Sequence, residues 1–146
     1  MLATNMKLAP AVVNTLQIWH GMIEMRDLGR LESIVHPEAV FRSPMAFQAY
    51  AAAPALILVV KTAITVLEDF TYHRQFAGDD YQSVVLEFSA RVGAKNLKGI
   101  DMIRFDAEGK IVEFEVMVRP LNALQALGAE MGARLGQYLP SFKGKV

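Results

Sequence analysis

Between Pro10 and Leu28 the apolar residues Val12, Val13, Leu16, Trp19, Met22 and Ile23 recur three or four positions apart. That spacing predicts a helix with one buried face, and Gly29 suits its end. Leu31 to His36 reads as a short second helix stopped by Pro37, and Val40 to Ser43 as a brief strand ended by Pro44. Pro54 opens a third helix through about Leu67, because the first helical position makes no use of an amide hydrogen. From Asp69 the period becomes two, with Phe70, Tyr72, Arg74 and Phe76 on one face and Asp69, Thr71, His73 and Gln75 on the other. Strands at Ser83 to Val92, Leu97 to Phe105 and Lys110 to Val118 follow, divided by turns at Ala94-Lys95-Asn96 and Asp106-Ala107-Glu108-Gly109. Such short connections leave no room for parallel crossovers, so these strands form an antiparallel meander. A last helix carries Leu121, Leu124, Leu127, Met131 and Leu135.

The strand faces carry the candidate chemistry. Val84, Leu86, Phe88, Ala90 and Val92 share one side, as do Val112, Phe114, Val116 and Val118. In the strand between them the matching face holds Leu97, Gly99, Ile103, Phe105 and, among them, Asp101. An isolated carboxyl in an apolar interior loses hydration, so its pKa rises and the protonated acid can donate to a ligand oxygen. The other reading is a structural Asp101 tied to Tyr72 or Arg74, and a contact with Arg74 would ionise the acid. Tyr72 offers the cavity a hydroxyl donor and is equally explained as a core aromatic. Trp19 and Met22 belong to the core or to a cavity wall, and Phe47 and Tyr50 to a cavity mouth or to loop packing. His20 and Glu24, four apart, are expected to form an ordinary surface pair rather than an acid/base pair. His36 and His73 lack ligand spacing, so no metal is expected. Gly128, Gly132 and Gly136 leave a groove along the last helix that packing explains.

Composition narrows the function. The 146 residues are 53% hydrophobic and 21% charged, with a mean hydropathy of +0.25, which predicts one folded domain over 1–146 and excludes disorder. Fifteen basic residues balance fifteen acidic ones, so no net field exists to hold nucleic acid or an anionic membrane. Zero cysteines remove thiol chemistry and fit a reducing cytoplasm, the expected location. Met1 to Trp19 reads as mature protein, without the clean apolar core of a signal peptide. The uncharged stretch Ser43 to Val60 is divided by Pro44, Gln48 and Pro54, and it reads as a buried helix rather than a membrane span. No GxGxxG, P-loop or GxSxG motif is present, and no cofactor is expected.

The stretch from Gly99 to Ile111, together with Asp27-Leu28-Gly29 and His36 through Pro44, resembles the nuclear transport factor two-like superfamily over about Trp19 to Val118. Ketosteroid isomerases and SnoaL-like cyclases are members. The resemblance implies an α+β cone, a cystatin-like curved antiparallel sheet wrapped around N-terminal helices. It puts Asp101 in the place of the isomerases' oxyanion-hole acid, a carboxyl kept neutral so that it can donate. Ser43 stands where those enzymes carry their aspartate base, and Met22 where they carry an oxyanion-hole tyrosine. The expectation is a pocket protein for a small apolar molecule bearing a carbonyl or enol, of isomerase, cyclase, lyase or hydrolase type if it is an enzyme. Asp101 and Tyr72 are the catalytic candidates, and Trp19, Met22, Phe41, Ser43, Phe88 and Phe114 shape the cavity. A noncatalytic ligand-binding or dimerisation module is the alternative. The face opposite Asp101, where Glu87, Arg91, Lys98, Arg104, Glu113, Glu115 and Arg119 mix with Val85, Ile100, Met102 and Met117, suits a homodimer, as is common in the superfamily.

Overall fold

Each run of periodic residues folds as its period demands, and the structure, a computed structural model, describes residues 7–136. The expectations for residues 1–6 and 137–146 lie outside the described residues. Helix α1 (Pro10–Met25) is followed by a 3-10 turn (Leu31–Ile34), β1 (Val35–Arg42), the two-residue β2 (Tyr50–Ala51) and α2 (Ala53–Val66). Then come β3 (Glu68–Ala77), β4 (Ser83–Val92), β5 (Lys95–Phe105), β6 (Ile111–Arg119) and α3 (Leu121–Leu135).

One curved, unclosed sheet holds all six strands in the order β2-β1-β6-β5-β4-β3. The pairs are antiparallel except β1 with β6, which runs parallel, with one helix and four strands separating them in the chain. The inner face, with Val84, Leu86, Phe88, Ile103, Phe105 and Phe114, meets Leu16 and Trp19 of α1, Leu56 and Val59 of α2 and Leu127 and Met131 of α3. No helix among the described residues is long and apolar enough to cross a membrane.

Several expectations need correction. Helix α1 ends before Gly29, because Arg26 takes the left-handed conformation at φ 52° and the amides of Arg26 and Asp27 close on the carbonyls of Ile23 and Met22. Pro37 stops no helix but lies within β1, where the ladder to β6 is interrupted between Val35 and Val40, so its missing donor breaks no bond. The β4–β5 turn is Gly93-Ala94, not Ala94 to Asn96. Val92 pairs Lys95, and Gly93 supplies the positive φ of 57° that a two-residue hairpin needs.

Two bulges change which side chains face inward. In β3, Tyr72 lies opposite Phe88 but Gln75 opposite Leu86, so one extra residue shifts the alternation. Arg74 and Phe76 consequently leave the apolar face that Tyr72 keeps. The Arg74 guanidinium lies 5.6 Å from the centre of the Phe76 ring and donates to both carboxyl oxygens of Glu87, at 2.7 and 2.8 Å. In β6, Arg104 pairs Glu113 but Phe105 pairs Ile111, so Ile111 replaces Val112 on the inner face.

Candidate functional site

The helices do not fill the space against the sheet, and a cavity of about 550 Å³ remains. Its walls come from every layer: Trp19 and His20 of α1, Phe41 of β1, Val59 and Val60 of α2, Phe70 to Phe114 of the sheet, and Met131 of α3. Phe70 stacks on Phe88 with centroids 4.8 Å apart, and Phe114 meets Trp19 edge-on at 5.4 Å and Phe41 face-on at 6.1 Å. The interior is therefore largely apolar, with a cluster of packed aromatic rings against the sheet.

Asp101 enters this enclosure from the middle of β5, where the period-two alternation leaves it on the inner face and only 5% exposed. The Tyr72 hydroxyl donates to Asp101 Oδ2 at 2.5 Å, and Trp19 Nε1 donates to the same hydroxyl at 3.0 Å. No cation pairs with the carboxyl among the described residues. Loss of hydration accordingly raises the Asp101 pKa to about 7, even though the Tyr72 hydrogen bond pulls the other way. Burial, and then the neighbouring Asp101, hold the Tyr72 phenol well above its ordinary value. Near neutrality the site thus contains a carboxyl shared between its acid and its ionised form, held by an aligned chain of donors.

Replacing Tyr72 by Phe removes the hydrogen bond that favours the ionised carboxyl. The Asp101 midpoint then rises above about 7, and a carbon-13 NMR titration of the aspartate side chains reads the change. An unchanged midpoint would show that the two groups are not coupled.

The remaining predicted residues divide. Trp19, Phe41, Ser43, Phe88 and Phe114 line the cavity, as does Tyr50. Ser43 has no acid beside it, and its hydroxyl accepts the Met45 amide at 3.0 Å. Met22 is a correction: it is buried in the core behind α1 and does not border the cavity. Phe47 is another, since it is 95% exposed. Arg74 reaches solvent and pairs with the acid Glu87 outside the cavity, which spares it the cost of an unpaired buried guanidinium. His20 and Glu24 form no surface pair. The imidazole is 7% exposed, borders the cavity and meets the Tyr72 ring edge-on at 5.2 Å, while Glu24 stays exposed at the rim. The sequence signal for His20 was its place one turn beyond Leu16, on the buried stripe. Among the described residues no three His, Cys, Asp or Glu side chains stand together as a metal would require.

No protein-family model matches the chain, and no curated protein matches its sequence. Solved structures do resemble it. A steroid delta-isomerase from Pseudomonas aeruginosa is 59% identical, with a TM-score of 0.89 over 93% of this chain and 99% of that one. An uncharacterised protein of cystatin-like fold from Silicibacter pomeroyi, 22% identical, has a TM-score of 0.79 over 93% and 94% of the two chains. A nuclear transport factor two-like protein of unknown function from Mesorhizobium loti, 16% identical, has a TM-score of 0.65 over 77% and 93%. The last two likenesses concern the fold alone. An α+β cone with an isomerase-type fold is thereby established. The chain belongs to the nuclear transport factor two-like superfamily.

Proposed function

We propose that this protein is an isomerase that moves a carbon–carbon double bond in a small apolar ketone, with Asp101 as the acid at the ketone oxygen. One observation carries the reading: a carboxyl with a midpoint of about 7 stands inside a largely apolar cavity with a hydroxyl as its hydrogen-bond partner. Because Oδ2 accepts the Tyr72 hydrogen, the proton of the neutral acid belongs on Oδ1, which no described residue engages. A ligand oxygen placed there receives that hydrogen bond, and the bond strengthens as the oxygen gains charge in an enolate-like transition state. The apolar walls supply affinity, and Tyr72 holds the acid in place. The steroid delta-isomerase likeness supports a fused-ring ketone as the substrate.

The test is conversion of a Δ5-3-ketosteroid to its conjugated Δ4 isomer, followed by the absorbance of the new enone, for the wild type and Asp101→Asn. Conversion that depends on Asp101 supports the reading. Binding without conversion would leave a noncatalytic ligand carrier, and neither binding nor conversion would overturn the pocket's assignment altogether.

The outer sheet face supports pairing of two copies. Met102 and Met117 are exposed there among ion pairs such as Lys98 with Glu87 at 2.9 Å. Met117→Glu places an unpaired charge in that face, and sedimentation should then show a monomer where the wild type sediments as a dimer. An unchanged mass would remove the face from the interface.

A further inference from the structure

Moving a double bond needs a group that takes a proton from one carbon and returns it to another, and Asp101 in its acid form cannot do this. Among the described residues, the titratable groups bordering the cavity are His20, Glu24, Arg26, Tyr50, Tyr72 and Asp101. Burial raises the phenols of Tyr50 and Tyr72, so neither loses its proton near neutrality. Arg26 offers only donors, and its guanidinium is occupied at the rim by the carbonyl of Ile64 at 2.5 Å. Glu24 is exposed at that same rim, where water hydrates its carboxylate. The Ser43 hydroxyl lacks a base to activate it. That leaves the imidazole of His20.

The geometry of His20 fits the task. Its ring is more than nine-tenths buried, lies edge-on to Tyr72 and so stands beside the group that holds Asp101. A side-chain hydrogen bond with Gln75 engages the ring, while Nε2 is buried without a hydrogen-bond partner. A buried polar ring kept in this state costs stability, which a ligand in the cavity can offset.

We infer that His20 is the base that carries the proton in the reaction proposed above, an inference that rests on that reading. The neutral imidazole takes the proton from the carbon between the carbonyl and the double bond. The C–H electron pair forms the new C=C, and the carbonyl π pair moves to the oxygen held by Asp101. The dienolate then collapses: the carbonyl re-forms, and the far carbon of the old double bond takes the proton back from the imidazolium. One proton leaves and one returns, so no co-reactant is needed. Burial, opposed by Gln75 and Glu24, keeps the imidazole below its ordinary pKa and so neutral at pH 7. Among the described residues, Glu24 on its own helix, Tyr72 and Asp101 on the facing strands and Arg26 at the rim are the charged or titratable groups that border the cavity with it.

The deciding experiment compares wild type, His20→Ala, His20→Gln and Asp101→Asn for conversion of the Δ5-3-ketosteroid and for binding of the Δ4 product. Both His20 variants should lose kcat by at least about 100-fold while product affinity stays within about threefold. Added imidazole should restore part of the turnover of His20→Ala, in which the side chain's space is vacant, and not that of Asp101→Asn. If the His20 variants turn over like the wild type while Asp101→Asn does not, the base is elsewhere and the inference fails alone. If the His20 variants lose turnover and product binding in equal measure, with no rescue, His20 is only a wall and the inference also fails. If the wild type itself converts nothing, the isomerase reading fails and takes the inference with it.

Discussion

Asp101→Asn lowers turnover of the Δ5-3-ketosteroid by about 100- to 1,000-fold, the usual cost of one oxyanion donor, while the Δ4 product still binds. An amide keeps the shape of the side chain and one donor group, but it cannot carry the acid's proton. The pH profile gives a second reading of the same change. Because the donor is the protonated carboxyl, wild-type turnover falls as the pH rises through about 7, and the variant's residual rate lacks that limb. Stability moves in the same sense. The folded-state midpoint is raised from 3.8 to about 7, so folding holds the proton more tightly than the unfolded chain does. The stabilising contribution is complete below pH 3.8 and is lost as the pH climbs to about 7. That separation corresponds to about 4 kcal/mol. Urea unfolding at pH 5 and pH 8 should therefore show the wild type weaker at the higher pH, and Asp101→Asn should remove most of the difference. Glu87, held well below the carboxylate range by Arg74 and Lys98, titrates beneath this window and does not obscure it. Equal slopes in the two proteins would mean that Asp101 is ionised in the folded state, and the donor role would be lost with it.

Gly109→Ala destabilises the fold by about 2–4 kcal/mol, through two separate causes that act at one atom. Gly109 adopts φ 85°, a conformation that a β-carbon disfavours. That carbon would also sit 2.5 Å from the carbonyl oxygen of Ala11 and 2.8 Å from its carbonyl carbon. Backbone cannot swing aside as a side-chain tip can, so the β5–β6 hairpin must draw back from α1. The retreat breaks the 2.6 Å hydrogen bond from the Thr15 hydroxyl to the Gly109 carbonyl, which joins the hairpin to that helix. A melting temperature lower by about 10 °C is the corresponding reading. Gly93→Ala is the control: its φ of 57° is also positive, but no atom lies within 4 Å of the added carbon. It should cost only about 1 kcal/mol. Equal losses in the two variants would show that the close approach of hairpin and helix contributes nothing.

The cavity depends on that approach. Trp19 and His20 lie four and five residues beyond Thr15 on the same helix, so the Thr15 contact sets where both meet Tyr72.

From the sequence alone came the helices α1 and α3, the meander from β3 to β6, and the presence of a carboxyl on an apolar strand face. All of these follow from local periodicity. A strand reverses side with every residue and a helix repeats within four, so near neighbours determine which side chains share a face. Asp101 was legible for that reason, in a β5 whose register with β4 runs unbroken from Lys95 to Arg104. Tertiary structure decided the rest. The parallel join of β1 to β6, the bulge that turns Arg74 outward to Glu87, the rotation of α1 that puts His20 in the cavity and Met22 behind it, and the hydrogen bond from Tyr72 to Asp101 all depend on partners far along the chain. A bulge leaves no mark in the alternation that precedes it, and a helix stripe about 100° wide does not say which of its edges meets a cavity. Those choices belong to the packing of one element against another, where distances between distant residues, not spacing along the chain, set the energy.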